Sequence, residues 1–456
     1  MSGRGRRAGV NRASRPPGQT CKMPQPLEWA AMFSRLPSIG RIAWVLTVWR
    51  LFIDLGAGLV YPFTLLYLHD ARHFPLAVAA AVVALMYGGG LLSIPLGMFC
   101  DRWGATLVAV ASALCSGSLS IAFSRVTSVP EAAGMALALG FFTGGLWNAL
   151  ATLVAHIVPA AQRNAAFGIG YAVMNLGMGA GGFLASLVVS VRNPATFELL
   201  FVIQGGLLLC FAAWAWVWLW SHLGIRGLPE PGSPDVVATG SSDRAGKSGG
   251  RGIARDPAIW ILTILYSVLV GAAVGQLDSG YPAFATVVGH VSTHIVGLAF
   301  SANTLAIVLV QLPVIPMVGR LGYRNSIFVG ALFFAVSWPI AVVAGVWPGT
   351  LVASLAIVLA PVLIACGEVF QSSSIPSLAN AMARDGNRGS YNSLVGAGWC
   401  IGPMVAAPIS GLAIGAGFGI PFVLCCSVLC LLAGMLARHI PRGQNEESIV
   451  PAAAPA

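Results

Sequence analysis

The chain has 456 residues, is 57% hydrophobic and only 9% charged, and carries a formal charge of +10. Soluble domains carry about 25% charged residues, so a water-soluble globule is excluded and lipid is the natural solvent. The positive charge does not point to nucleic acid, because no polar segment is long enough to fold into a basic face with base-stacking aromatics.

Residues 1–38 are rich in Arg and contain Pro, without the apolar run of a secretion signal. They share the Arg enrichment of a transit peptide. Their composition fits a disordered basic tail better, or a stretch upstream of a start at Met23 or Met32. Twelve apolar runs follow, each long enough for the ~20 residues that a membrane-spanning helix needs. They lie near 43–68, 76–99, 105–125, 131–156, 165–190, 198–221, 257–279, 293–317, 326–345, 349–373, 391–415 and 419–438. Outer-membrane strands would instead show alternating segments of about ten residues. The expected fold is therefore an all-α integral membrane protein of twelve transmembrane helices. A Gly-, Ser- and Pro-rich stretch at 222–256 reads as a flexible linker. It separates six spans at 39–221 from six at 257–438, and a short tail follows at 439–456.

Lys and Arg positions set the orientation. Of the 25 basic residues, Arg72, Arg125 and Arg192 fall in connections opposite the linker and Arg50 falls within a span, so the remaining 21 share the side of the linker and termini. That side is expected to be cytoplasmic, in the plasma membrane. The nine Cys residues show no metal-ligand spacing and read as small apolar helix residues.

Two elements recur once per half. The charged turn Gly97-Met98-Phe99-Cys100-Asp101-Arg102-Trp103-Gly104 separates the second and third runs. Pro95, Arg102 and Gly104 are echoed by Pro313, Arg320 and Gly322 at a constant offset of 218 residues. Arg163 and Gly177, in a run that also holds Gly179, Gly181 and Gly182, are echoed by Arg388 and Gly402 at an offset of 225, the latter followed by Pro403. Small residues allow close packing of membrane helices. Duplicated six-helix halves are a recurring transporter architecture.

The Gly97-x-x-x-Asp101-Arg102-x-Gly104 turn after the second span resembles the signature loop of the major facilitator superfamily. The family pattern continues with basic residues, where this chain has Ala105 and Thr106. Leu55-Gly56 followed by Pro62 resembles an element of the twelve-span drug:proton antiporters, with Leu65 in place of that group's second proline. The resemblance implies two pseudo-symmetric six-helix halves that rock about a central site. It also implies a conformational latch, carried here by Gly97, Asp101, Arg102 and Gly104 with Arg320 in the second half. Pro62, Gly177, Gly181, Gly402 and Pro403 would serve helix packing and bending.

Charges within the membrane are costly and mark ion or substrate paths. Arg50 and Asp54 stand four residues apart, on one face of the first helix, with Asp54 about 16 Å deep at ~1.5 Å rise per residue. Burial and a neighbouring cation pull a carboxyl's proton affinity in opposite directions. Asp54 is thus a candidate proton-coupling carboxylate, while a mutually neutralising pair that only orients the helix is the plainer reading. Glu368 is the second candidate, or else a structural carboxylate bound to nearby backbone or to Arg384 and Arg388. It precedes Ser372-Ser373-Ser374-Ile375-Pro376, where the helix is expected to loosen. Asp278 reads as a solvated residue at the outer end of the seventh span. Trp147, Asn148, Asn175, Gln276 and Gln311 are candidates to line a substrate cavity, with Gln204 and Asn303 as further polar groups or interhelical hydrogen bonds. His290 and His294 lack a carboxylate or Cys beside them, so no metal site is expected. No phosphate-binding loop occurs, so an ion gradient is the default driver.

The function expected is proton-coupled efflux of a small hydrophobic or amphipathic compound by a monomer in the lipid bilayer, with no cofactor and no catalytic chemistry. A nutrient or metabolite importer running the same cycle in reverse is the alternative. A degenerate transporter-fold sensor is a third reading.

Overall fold

The computed structural model describes residues 40–159, 162–223, 256–383 and 388–440. The expected tail at 1–38 with its alternative starts, nearly all of the linker at 222–256, Arg384 and residues beyond 440 lie outside the described residues. Within them every regular element is helical. In chain order the crossings are α1 (Arg41–Val60), α2 (Leu76–Leu92), α3 (Ala105–Phe123), α4 (Val129–Ile157), α5 (Arg163–Val188), α6 (Ala195–Trp214), α7 (Pro257–Ala272), α8 (Thr293–Leu321), α9 (Tyr323–Val346), α10 (Leu351–Met382), α11 (Arg388–Gly415) and α12 (Gly419–Ala437). Eleven belong to helical runs long and apolar enough to cross a bilayer, and α2 is a shorter apolar helix. The end of the bundle where the chain enters at Gly40 and leaves at Ile440 is called proximal below, and the opposite end distal.

The pairings among the first six helices recur among the second six. Helix α1 packs on α5 and α6 as α7 packs on α11 and α12; α3 packs on α4 and α6 as α9 packs on α10 and α12; α2 packs on α4 as α8 packs on α10. The two sets meet through α2 against α11 and α5 against α8. Glycines make the tightest of these pairings possible. A Cβ on Gly181 would stand 2.1 Å from the Leu55 carbonyl of α1, and one on Gly402 would stand 2.2 Å from the Ser267 carbonyl of α7.

The repeated connector is also explained by backbone geometry. Gly104 and Gly322 precede α3 and α9 with φ of 100° and 75°, a region that L side chains avoid. Gly104→Ala is expected to destabilise the fold by about 1–2 kcal/mol, seen as a lower thermal midpoint of the purified protein.

The first crossing, the 76–99 run and the seventh crossing depart from a straight helix, and three sequence expectations change here. Helix α1 tightens to a 3-10 turn at Tyr61–Phe63, where Pro62 removes a donor, and widens into a π turn at Tyr67–Ala71. The apolar run at 76–99 is interrupted: Pro95 ends α2 at Ser93–Pro95, and a separate short helix, Leu96–Trp103, carries Gly97, Asp101 and Arg102. The seventh crossing breaks between Ala273 and Ser279 and resumes through Gly280–Ala283 to Val288. Asp278 therefore lies mid-crossing, not at a solvated end. By contrast α10 stays helical through Ser372–Pro376 to Met382, where loosening was expected.

Two proline-freed carbonyls find partners on neighbouring helices, as a lipid environment favours. Pro361 cannot bond the Ile357 carbonyl, which instead accepts the Tyr281 hydroxyl at 2.5 Å. Pro339 frees the Ala335 carbonyl, which accepts the Ser427 hydroxyl at 2.6 Å.

Candidate functional site

One turn separates Arg50 from Asp54 on α1, so both side chains project to the same side. Arg50 Nε donates to Asp54 Oδ2 at 2.8 Å. The guanidinium carbon stands 3.9 Å from the centre of the Trp147 ring on α4, a cation–π distance. Asp54 is fully buried, and its second oxygen, Oδ1, has no hydrogen-bond partner. Helix α5 closes over it, since a Cβ on Gly177 would stand 3.0 Å from Asp54 Cβ. The pair opens on a cavity of about 20 Å³ shared with Tyr61, Thr143 and Gln204, room for about one water. One carboxylate oxygen is thus held by a guanidinium and the other is unpaired, an arrangement that can take up or release a proton through a single water.

Glu368 occupies a second cavity, of about 10 Å³, with Tyr266, Gln371 and Trp399. The Tyr171 hydroxyl of α5 donates to Glu368 Oε1 at 3.2 Å. Asp278, in the break of the seventh crossing, accepts the Tyr87 hydroxyl of α2 at 2.5 Å. Each of these bonds joins a tyrosine of the first six helices to an acid of the second six. Tyr61 lines the same cavity as Asp54. Asp278, Tyr61, Tyr87 and Tyr171 were not among the sequence candidates for the site. The available signal was Tyr281-Pro282, which repeats Tyr61-Pro62 at an offset of 220 and marks a second mid-crossing break.

The remaining candidates take separate places. Asn148 Nδ2 donates to the Ser93 carbonyl at 3.3 Å and so secures the break after α2. Asn175 donates to the Tyr171 carbonyl of its own helix at 3.0 Å. Gln276 spans the break after α7, donating to the Gly271 carbonyl at 2.7 Å, while its buried Oε1 has no partner. Asn303 donates across to the Pro361 carbonyl at 2.7 Å, an interhelical bond. Gln311 is partly buried on α8 and lines neither cavity. At the proximal end Arg102 and Arg320 are exposed, and neither pairs with a described side chain. Nothing lies within 4 Å of a Cβ placed on Gly97. At the distal end Glu198 binds Arg72 at 2.9 Å and Arg125 at 3.3 Å, tying together the ends of α1, α3 and α6.

The sequence profile described as the Major Facilitator Superfamily matches residues 46–292 and 281–454. The chain belongs to that superfamily. An uncharacterised MFS-type transporter, YttB of Bacillus subtilis (strain 168), is 24% identical over 366 residues, covering 78% of this chain and 85% of that protein. Among solved structures, the nucleoside transporter NupG superposes with a TM-score of 0.69 at 14% identity, covering 88% of this chain and 99% of that one. A bacterial homologue of the human lysosomal transporter Spinster, inward-facing and unoccupied, gives 0.67 at 11% identity, covering 91% and 98%. A peptide transporter POT in complex with sulfate gives 0.66 at 17% identity, covering 92% and 100%. These likenesses establish the fold.

This Major Facilitator Superfamily chain is a multi-pass membrane transporter whose two helix sets touch toward the distal end. Gly411 and Gly415 of α11 lie against Leu76 of α2, and His294 of α8 bonds the Ser186 carbonyl of α5. Nearer the proximal end, among the described residues, Gly90 of α2 still faces Cys400 of α11, with a Cβ placed on it 3.5 Å from the sulfur, while nothing lies within 4 Å of a Cβ on Gly168, Gly170, Gly319 or Gly396.

Proposed function

We propose that this transporter exports a small hydrophobic or amphipathic compound in exchange for protons. The Arg50–Asp54 pair beneath Trp147 carries this reading: a fully buried carboxylate, half paired and half free, beside a water-sized space. Protons load on Asp54 when the pair is open to one side and leave it toward the other, with Glu368 as a second exchanging carboxylate. The halves 39–221 and 257–438 rock about the two cavities. The exposed Arg102 and Arg320, with Asp101, engage when the proximal end closes and the distal end opens. Both termini lie in the cytoplasm and the protein works as a monomer in the plasma membrane.

The test is transport of a permanently neutral apolar dye by the full chain in proteoliposomes with an imposed pH difference and the membrane potential clamped. An antiporter accumulates the dye in the acidic compartment, above protein-free liposomes. Accumulation on the alkaline side would make it a proton symporter. No movement driven by the gradient would remove proton coupling.

A further inference from the structure

Helices α9 and α10 meet backbone to backbone at Gly330 and Gly367. A Cβ on Gly330 would stand 2.8 Å from the Gly367 carbonyl and 2.9 Å from Gln371 Nε2. Gln371 Nε2 donates to the Ile327 carbonyl at 2.9 Å. A carbonyl only accepts, so this bond fixes which way the amide points, and the Oε1 left over has no partner. Two hydroxyls share the seam. Ser326 immediately precedes Ile327, and Ser374 lies one turn beyond Gln371 toward the proximal end. The contacts of 330 with 367 and of 327 with 371 define an antiparallel register that sets Ser374 opposite the turn holding Ser326. Both serines are fully buried, and neither hydroxyl has a partner. A helix serine commonly turns back onto its own backbone, as Ser337 does on α9 and Ser372 and Ser377 do on α10. Ser326 and Ser374 do not, which leaves their hydroxyls to the seam.

The chemistry of these three oxygens selects a ligand. The amide oxygen only accepts, whereas each hydroxyl both donates and accepts. A water can donate to Gln371 Oε1 and to one serine while accepting from the other, which is about the three bonds usual for a buried water. A cation fits worse. All three oxygens are neutral, and Glu368, one turn away on α10, is engaged by the Tyr171 hydroxyl of α5. We propose that Ser326, Gln371 and Ser374 form a buried water-binding site that joins α9 to α10 behind the Glu368 cavity. Gln371 also lines that cavity, so the water holds from behind an amide that is part of its wall. It ties α9 and α10 into one block when the helix sets rock. The site depends neither on the direction of transport nor on proton coupling.

The test compares the full chain with Ser326→Ala, Ser374→Ala and the double variant by thermal unfolding, alongside a density map of the unaltered protein that resolves ordered waters. Removing a hydroxyl that is truly unpartnered relieves a buried polar group and raises the midpoint, whereas removing one that binds a water lowers it. Each single change is expected to lower the midpoint by about 2 °C, the scale of one hydrogen bond. The double variant should lose less than the sum, because both hydroxyls hold the same water. The map should show a peak at hydrogen-bond distance from at least two of the three oxygens. A midpoint raised by either single change overturns the site, as do strictly additive losses or a seam without a peak. A midpoint that rises when Na+ replaces choline at equal ionic strength, with the rise lost in Ser374→Ala, assigns a cation there and overturns the water.

Discussion

Asp54→Asn is expected to abolish uphill transport while leaving protein abundance unchanged. A one-for-one exchanger working against a difference of one pH unit can hold a substrate ratio of about tenfold, equivalent to about 1.4 kcal/mol. Asparagine preserves the shape of the side chain and a carbonyl acceptor for Arg50, but it cannot bind or release a proton. The ratio should therefore fall to about one in the same proteoliposome assay. Exchange of labelled for unlabelled dye without a gradient should persist, because rocking of the helix sets does not require a proton. Unchanged accumulation in the variant would remove Asp54 from coupling and leave the Arg50–Asp54 pair as a structural brace.

Arg50→Ala is expected to damage the protein more than loss of its acidic partner does. Removing one member of a buried ion pair leaves the other charge uncompensated, at a cost of about 3–5 kcal/mol. Asp54 is fully buried and Arg50 is its ion-pair partner at 2.8 Å, so the whole penalty falls on this site. Loss of the ring contact with Trp147 adds to it. The double variant Arg50→Ala/Asp54→Asn removes both charges and should recover most of the thermal midpoint lost by the single change. The comparison, made on purified protein by thermal unfolding, isolates the pairwise term. A double variant no more stable than Arg50→Ala alone would mean that packing around Trp147, not charge, holds this region together.

The parts of the fold readable in the chain are those governed by length and by backbone geometry. Apolar runs of membrane length mark the crossings, because lipid imposes a fixed thickness on any helix that spans it. The repeated Gly104 and Gly322 are legible because a left-handed connector requires glycine, and both adopt it. Gly177 and Gly402 are legible as a pair because a side chain at either would strike the facing helix backbone. Breaks within a crossing were less visible. A helix apolar on all sides has no polar face whose rhythm would show an interruption, so the seventh run reads as a single span near 257–279 with Asp278 at its outer end. The joining of Tyr87 to Asp278 and of Tyr171 to Glu368 spans 191 and 197 residues. No local spacing encodes contacts of that kind, since they follow from how α2 and α5 meet the opposite set. Arg50 and Asp54 were readable together because one helical turn fixes their relation wherever the helix lies.

The break after α2 has a further consequence, for the membrane itself. The 17 residues of Leu76–Leu92 rise about 25 Å, short of the ~30 Å of a typical hydrocarbon layer. The chain then turns at Ser93–Pro95 and continues as the short helix bearing Arg102. In a thin bilayer Arg102 reaches the phosphate level without strain. In a thicker one the same side chain is drawn toward the acyl chains, and either the lipid compresses around it or the short helix tilts outward. Bilayer thickness is thus expected to act on the same segment that bears Asp101 and Arg102, the proposed latch, so that activity in vesicles should vary with acyl-chain length.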